Sequence, residues 1–263
     1  MDVSRRELRA FKILLVPGFS ADYLDDTVGY FREARRELER LGLRDGEDFE
    51  MLLDQHGFSG ERTSAENAAA LADVVRESTR PVLAITHSKG AVDLLEMLLV
   101  YKDTRAKVRG WFSYQGAFGG SILADVVSKG WTRPLMEGFL RSYGGSIEAL
   151  EDLRQPVRAA YLTQHLTEIA ELERQIPTVS LVTQQDYEKL SFRLRTVAQL
   201  FDPEYRKSES DGMVGIRNAM LPYSPYVFLT GVSHENTAET GDYDRVRLTH
   251  VSLRMLLGRA TAR

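Results

Sequence analysis

The chain has 263 residues, 43% of them hydrophobic and 27% charged, with a formal net charge of −4. This is the make-up of a globular domain, and its interspersed charges leave no basic footprint for nucleic acid. Cysteine is absent, which excludes disulfides, thiolate metal sites and a cysteine nucleophile.

In chain order, FKILLVP (11–17) reads as a buried strand, because it is a short apolar run ending at a proline. Residues 22–43 are amphipathic, with Tyr23, Val28, Phe31, Ala34 and Leu38 at helical spacing. FEMLLD (49–54) suits a strand. Residues 64–78 are alanine-rich and open on Ser64, so a serine-capped helix is expected. PVLAIT (81–86) is a second buried strand, followed by a helix from about Lys89 to Tyr101. VRGWFSYQ (108–115) returns to strand. A long helical stretch, 122–175, is broken at Pro134, Gly144–Gly145 and Pro156. TVSLVTQ (178–184) is a strand, 186–201 a helix, YVFLTG (226–231) the last strand and 243–257 the last helix.

About six buried strands alternating with helices predict an α/β protein with a mostly parallel sheet covered on both faces. One domain over 1–263 is expected. The insertion at about 119–175 is too long for a simple crossover and reads as a helical cap over the carboxyl ends of the strands, where open α/β sheets bind ligands. No apolar run reaches the roughly 18–20 residues needed to span a bilayer, and the first residues lack the apolar core of a signal peptide. The expectation is a cytoplasmic protein.

The step from strand to helix at His87-Ser88-Lys89-Gly90 has the layout of a nucleophile elbow, a sharp turn that exposes a serine. Gly90 lets strand and helix pass closely. Thr86 stands where the G-x-S-x-G pattern has its first glycine. The bland alternative is a serine that merely caps the next helix.

Other segments extend this pattern. LLVPGFS ends the first strand; YQGAFGGSILAD (114–125) follows the fourth; ALEDLRQPVRAAYLTQH (149–165), SDGMV (210–214) and GVSHENTA (231–238) come later, in that order. Taken together, the chain resembles the α/β-hydrolase fold, and within it bacterial lipases and esterases.

That resemblance implies a serine hydrolase acting on carboxylic esters through an acyl-serine intermediate. It makes Ser88 the nucleophile, His234 the base and Asp211 the acid, in the chain order this fold uses. Asp186, just after the fifth strand, remains an alternative acid. The oxyanion hole would be the backbone amides of Phe19 and Lys89. The Lys89 side chain reads either as an exposed group paired with a nearby carboxylate or as one whose ammonium meets substrate. The fold's late histidine loop sometimes carries calcium; here Asn236 stands at the second acidic position, so no metal is expected, and no cofactor. His87 is expected to pack or hydrogen-bond under the elbow. Trp131, Met136 and Phe139 of the cap, with Leu135, Leu140, Phe118 and Tyr23, are candidates for an acyl pocket, or else ordinary packing residues. The implied partner is a small ester with an apolar acyl or alkyl part. An acyltransferase or thioesterase on the same fold, or a non-catalytic binding protein, are the rival readings.

Overall fold

The computed structural model describes residues 4–19, 29–53, 56–60, 62–127, 134, 137–138, 147–192, 194–195, 209–239 and 241–260. Its centre is one sheet of six parallel strands: β1 (Lys12–Val16), β2 (Phe49–Met51), β3 (Val82–His87), β4 (Val108–Tyr114), β5 (Thr178–Gln184) and β6 (Tyr226–Thr230). They lie in the order β2-β1-β3-β4-β5-β6. Among the described residues the helices are α1 (Arg5–Leu8), α2 (Arg32–Arg40), α3 (Ser64–Glu77), α4 (Lys89–Val100), α5 (Ile122–Val127), α6 (Ile147–Glu151), α7 (Gln155–Gln164), α8 (Leu166–Gln175) and α9 (Arg245–Ala260).

The apolar runs make strands because both faces of the sheet are covered. Ile13, Leu15, Leu83 and Ile85 face one core with Leu38 of α2 and Leu253 and Leu256 of α9. Their neighbours Leu14, Val16, Val82 and Ala84 face the other core, with Leu71 and Val75 of α3 and Leu94, Leu95 and Leu98 of α4. The alternation is the period-two geometry of a strand buried on both sides. Ile169 and Leu172 of α8 join the second core. The last helix of the insertion therefore covers the sheet as an ordinary crossover helix would.

Several boundaries differ from the expected ones, each for a local reason. The helix expected from residue 22 has its described start at Arg32; residues 20–28 lie outside the described part. Phe31 holds a left-handed φ of 52° and buries its ring against Tyr30 and Tyr114, so aromatic packing overrides helical periodicity there. The cap of α3 is Thr63 rather than Ser64, in a reciprocal capping box with Glu66. Pro156 does not break a helix. It opens α7, where its missing N–H leaves no bond unmade. The helix expected over 186–201 is preceded by a single 3-10 turn at Tyr187–Lys189; residues 192 and 194–195 are helical, and most of 193–208 lies outside the described residues. No helix among the described residues is long and apolar enough to cross a membrane.

Candidate active site

The strand order reverses at the β1/β3 boundary: from β1 the chain passes outward to β2, and β3 then pairs on the other side of β1. Open α/β sheets bind ligands at this switch point, at the carboxyl ends of the strands. Val16 pairs with Thr86 in register, so the segment after β1 and the turn after β3 emerge side by side.

Ser88 forms that turn. Its backbone has φ 53° and ψ −123°, far from helical or extended values. Such a conformation in a non-glycine residue costs roughly 1–3 kcal/mol and persists only where its surroundings impose it. They do so here. Gly90 packs on β1 so closely that a Cβ would lie 2.3 Å from the Pro17 carbonyl oxygen, and a Cβ on Gly18 would lie 2.8 Å from the Ser88 Cβ. Ser88 occupies the cap position of α4, yet its side chain makes no cap hydrogen bond. It is half-buried between the fully buried His87 and Lys89. Thr86 does not obstruct the turn: it points into the sheet core, where its hydroxyl accepts the Trp111 indole N–H at 2.9 Å.

His234 lies in a short 3-10 turn after β6. Its Nδ1 stands 2.8 Å from Asp211 Oδ2, and its backbone N–H donates to the Asp211 carbonyl at 2.8 Å. The other carboxylate oxygen of Asp211 accepts the backbone N–H groups of Met213 and Val214, at 2.9 and 2.8 Å. Asp211 is thus an acceptor on both oxygens, so Nδ1 of His234 carries the proton and Nε2 is left as the basic nitrogen. Burial alone would lower the pKa of His234. The Asp211 charge and hydrogen bond, helped by Glu239 and Glu235, outweigh it and hold the pKa above the ordinary 6.5. Asp186 is placed differently. Its side chain is 68% exposed and pairs with Lys189 at 2.8 Å.

The Phe19 and Lys89 amides flank Ser88 in sequence and across the β1–β3 seam, and neither has a hydrogen-bond partner among the described residues. Two other expectations change. The Lys89 side chain is not exposed; it is fully buried, with Nζ 2.8 and 3.0 Å from the Asp93 carboxylate oxygens. The spacing Lys-x-x-x-Asp on one helix face was the sequence signal for that pair. Phe118, a candidate for the acyl pocket, has no exposed surface. It lies edge-on to Trp111 in the core with Val16 and Ala91. Trp131, Met136 and Phe139 lie outside the described residues. Beside the site, Phe19, Leu123, Met213, Ile216 and Met220 are half-buried over a core of Val92, Ala117, Val182 and Val214; of these only Phe19 was singled out from sequence, and for its amide. Asn236 closes its own turn, accepting from the Ser233 backbone and hydroxyl at 2.8 and 2.9 Å. The remaining histidines, 56, 165 and 250, pair with Glu50, Glu168 and Glu37 away from this site.

The six-stranded parallel sheet and its strained serine turn are those of the α/β-hydrolase fold, and solved structures place the chain there. A metagenomic carboxyl esterase superposes with a TM-score of 0.71 at 27% identity, covering 100% of this chain and 76% of the other. A Bacillus licheniformis lipase in its mature form gives 0.62 at 19% identity, covering 86% and 85%. Phospholipase PlaB from Legionella pneumophila gives 0.68 at 16% identity, covering 95% and 60%. No family model matches the sequence, and no curated protein matches it. The structural neighbours are esterases and lipases, so the likeness is to ester-processing enzymes.

Proposed function

We propose that the protein is a serine hydrolase that cleaves carboxylic esters through an acyl-serine intermediate. Ser88 Oγ attacks the ester carbonyl while His234 Nε2 takes its proton. Asp211 holds the imidazole in the Nδ1–H tautomer and stabilises the imidazolium that forms. The amides of Phe19 and Lys89 donate to the oxyanion, where negative charge appears only in the transition state. His234 then protonates the departing alkoxide. A water, deprotonated by the same nitrogen, attacks the acyl-serine; the acyl–Oγ bond breaks, His234 returns the proton to Ser88 Oγ, and the acid leaves.

The observation that carries this reading is Ser88 itself: it is strained, half-exposed and caps nothing at a helix start. A serine kept only for capping would have relaxed, extended backbone and a bonded hydroxyl. The carboxyl esterase likeness supports the same chemistry. The half-buried Phe19, Leu123, Met213, Ile216 and Met220 suit a substrate with an apolar acyl or alkyl part.

Hydrolysis of p-nitrophenyl esters of increasing chain length tests the proposal. Ser88→Ala should lower kcat by about 10⁴-fold or more, since removing the nucleophile leaves only binding and oxyanion contributions. Full activity in that variant would overturn it.

A further inference from the structure

His87 precedes the serine and is completely buried, and every polar atom of its ring is engaged. On one side, Nδ1 meets the Tyr30 hydroxyl. On the other, Nε2 lies 3.1 Å from the backbone carbonyl of His234 and 3.2 Å from Gln115 Oε1. A carbonyl only accepts. The Gln115 orientation is fixed in turn, because its Nε2 donates to the Thr183 hydroxyl and, at 3.0 Å, to the Ser233 carbonyl. Its Oε1 also accepts the Thr237 hydroxyl at 2.6 Å. Both partners of His87 Nε2 are therefore acceptors, so Nε2 carries the proton and Nδ1 accepts from Tyr30. The Tyr30 oxygen in turn accepts the Gly18 N–H at 3.0 Å.

The bonds form one continuous path. It runs from Gly18, next to the Phe19 amide, through Tyr30, His87 and Gln115 to Ser233, His234 and Thr237. The path joins three segments that are distant in sequence but must be mutually placed for the chemistry. Its midpoint is tied to the serine turn by one peptide bond. The His87 and His234 rings are also in contact, tilted at 40° with centroids 4.6 Å apart. Gln115 is held in a left-handed conformation, φ 48°, at the end of β4. It is the second strained, non-glycine residue at a strand end beside the site, and its strain aims the side chain at this network. Burial, then the neighbouring His234, push the His87 pKa well below 6.5, in keeping with a neutral ring.

We propose that His87 is a positioning residue whose Nε2–H tautomer, held between Tyr30 and Gln115, fixes the Phe19 amide segment and the His234 loop around Ser88. The proposal rests on the serine-hydrolase reading, but its core is a mechanical link that can be read without activity.

The informative variant is Tyr30→Phe. It keeps the buried ring and removes only the hydroxyl, leaving Gly18 without its acceptor and His87 Nδ1 without its donor. Tyr114→Phe is the matched control, since it removes another buried hydroxyl, bonded to Ser252 at 2.9 Å, that lies off the path. On p-nitrophenyl butyrate, Tyr30→Phe should lower kcat about tenfold, the size expected of a small misplacement of reacting groups. KM should stay within about twofold, and Tyr114→Phe should leave both unchanged. By ¹⁵N NMR of the full chain, His87 should show the neutral Nε2–H pattern in the wild type. Tyr30→Phe should then shift the amide signals of Ser233 and His234 as well as Gly18. Unchanged kcat in Tyr30→Phe, an equal loss in both variants, or shifts confined to Gly18 and His87 would each overturn the proposal. A wild type inactive on every ester would count against the hydrolase reading instead, and the NMR shifts would still decide whether the link exists.

Discussion

At the residue scale, the division of labour between the two candidate acids follows from what each carboxylate touches. Asp211 is buried and bonded on one oxygen to two backbone amides and on the other to His234. Asp186 is open to solvent and shares a surface ion pair, which is worth at most about 1 kcal/mol. Asp211→Asn should cut kcat by about 10³–10⁴-fold by spoiling the imidazole tautomer, whereas Asp186→Asn should leave kcat within about twofold; steady-state assays on one ester separate them. The direction of the His234 shift also sets a pH dependence. Only the neutral imidazole can accept the serine proton. Because Asp211, Glu239 and Glu235 raise the His234 pKa above 6.5, kcat/KM should rise with pH through a midpoint above 6.5 and fall away on the acid side. A profile flat from pH 6 to 9, or one lost on raising the pH through that window, would contradict the assignment of His234 as base. The same shift gives the folded state stability that is complete below 6.5 and fades as pH rises through the folded-state value.

At the element scale, helix α4 starts with a cation, which the helix dipole disfavours by a few tenths of a kcal/mol. The structure explains why one is tolerated. Lys89 folds back one turn onto Asp93, and Asn67 of α3 donates to the same carboxylate at 2.9 Å. The pair therefore ties the start of α4, which carries the Lys89 amide, to the neighbouring helix. Both groups are fully buried, so removing one strands the other without a counter-charge. Lys89→Met alone should cost about 3–5 kcal/mol, while Lys89→Met with Asp93→Leu should recover most of that, as buried pairs replaced by apolar groups usually do. Urea unfolding of the three proteins tests this. A double variant no more stable than the single one would show that the pair does more than neutralise itself.

At the scale of the whole molecule, the sheet was legible because its strands are continuous apolar runs, the pattern required of strands buried on both faces. The order of Ser88, Asp211 and His234 was legible because that order is a property of the chain. What sequence could not supply was anything set by contacts across it. Phe31 leaves the helix it seems to extend because Tyr114, 83 positions later in the chain, receives its ring. Lys89 looks like a surface lysine until α3 is packed over it. Phe118 looks like pocket lining, yet Trp111 meets it edge-on in the core. His87 gains its partners from residues 57 positions before it and 28 and 147 after it; no local pattern marks them. Thr86, which departs from the glycine pattern, is accommodated in the same way: Trp111, from the next strand, donates to its hydroxyl.

All of these arrangements converge on one claim, that Ser88 is an activated nucleophile. The most direct measurement is reaction of the intact protein with a fluorophosphonate, followed by mass mapping of the modified peptide. The account predicts a single adduct on Ser88, absent in Ser88→Ala and formed far more slowly in His234→Ala. No adduct on the folded wild type, or an adduct on a different residue, would contradict it.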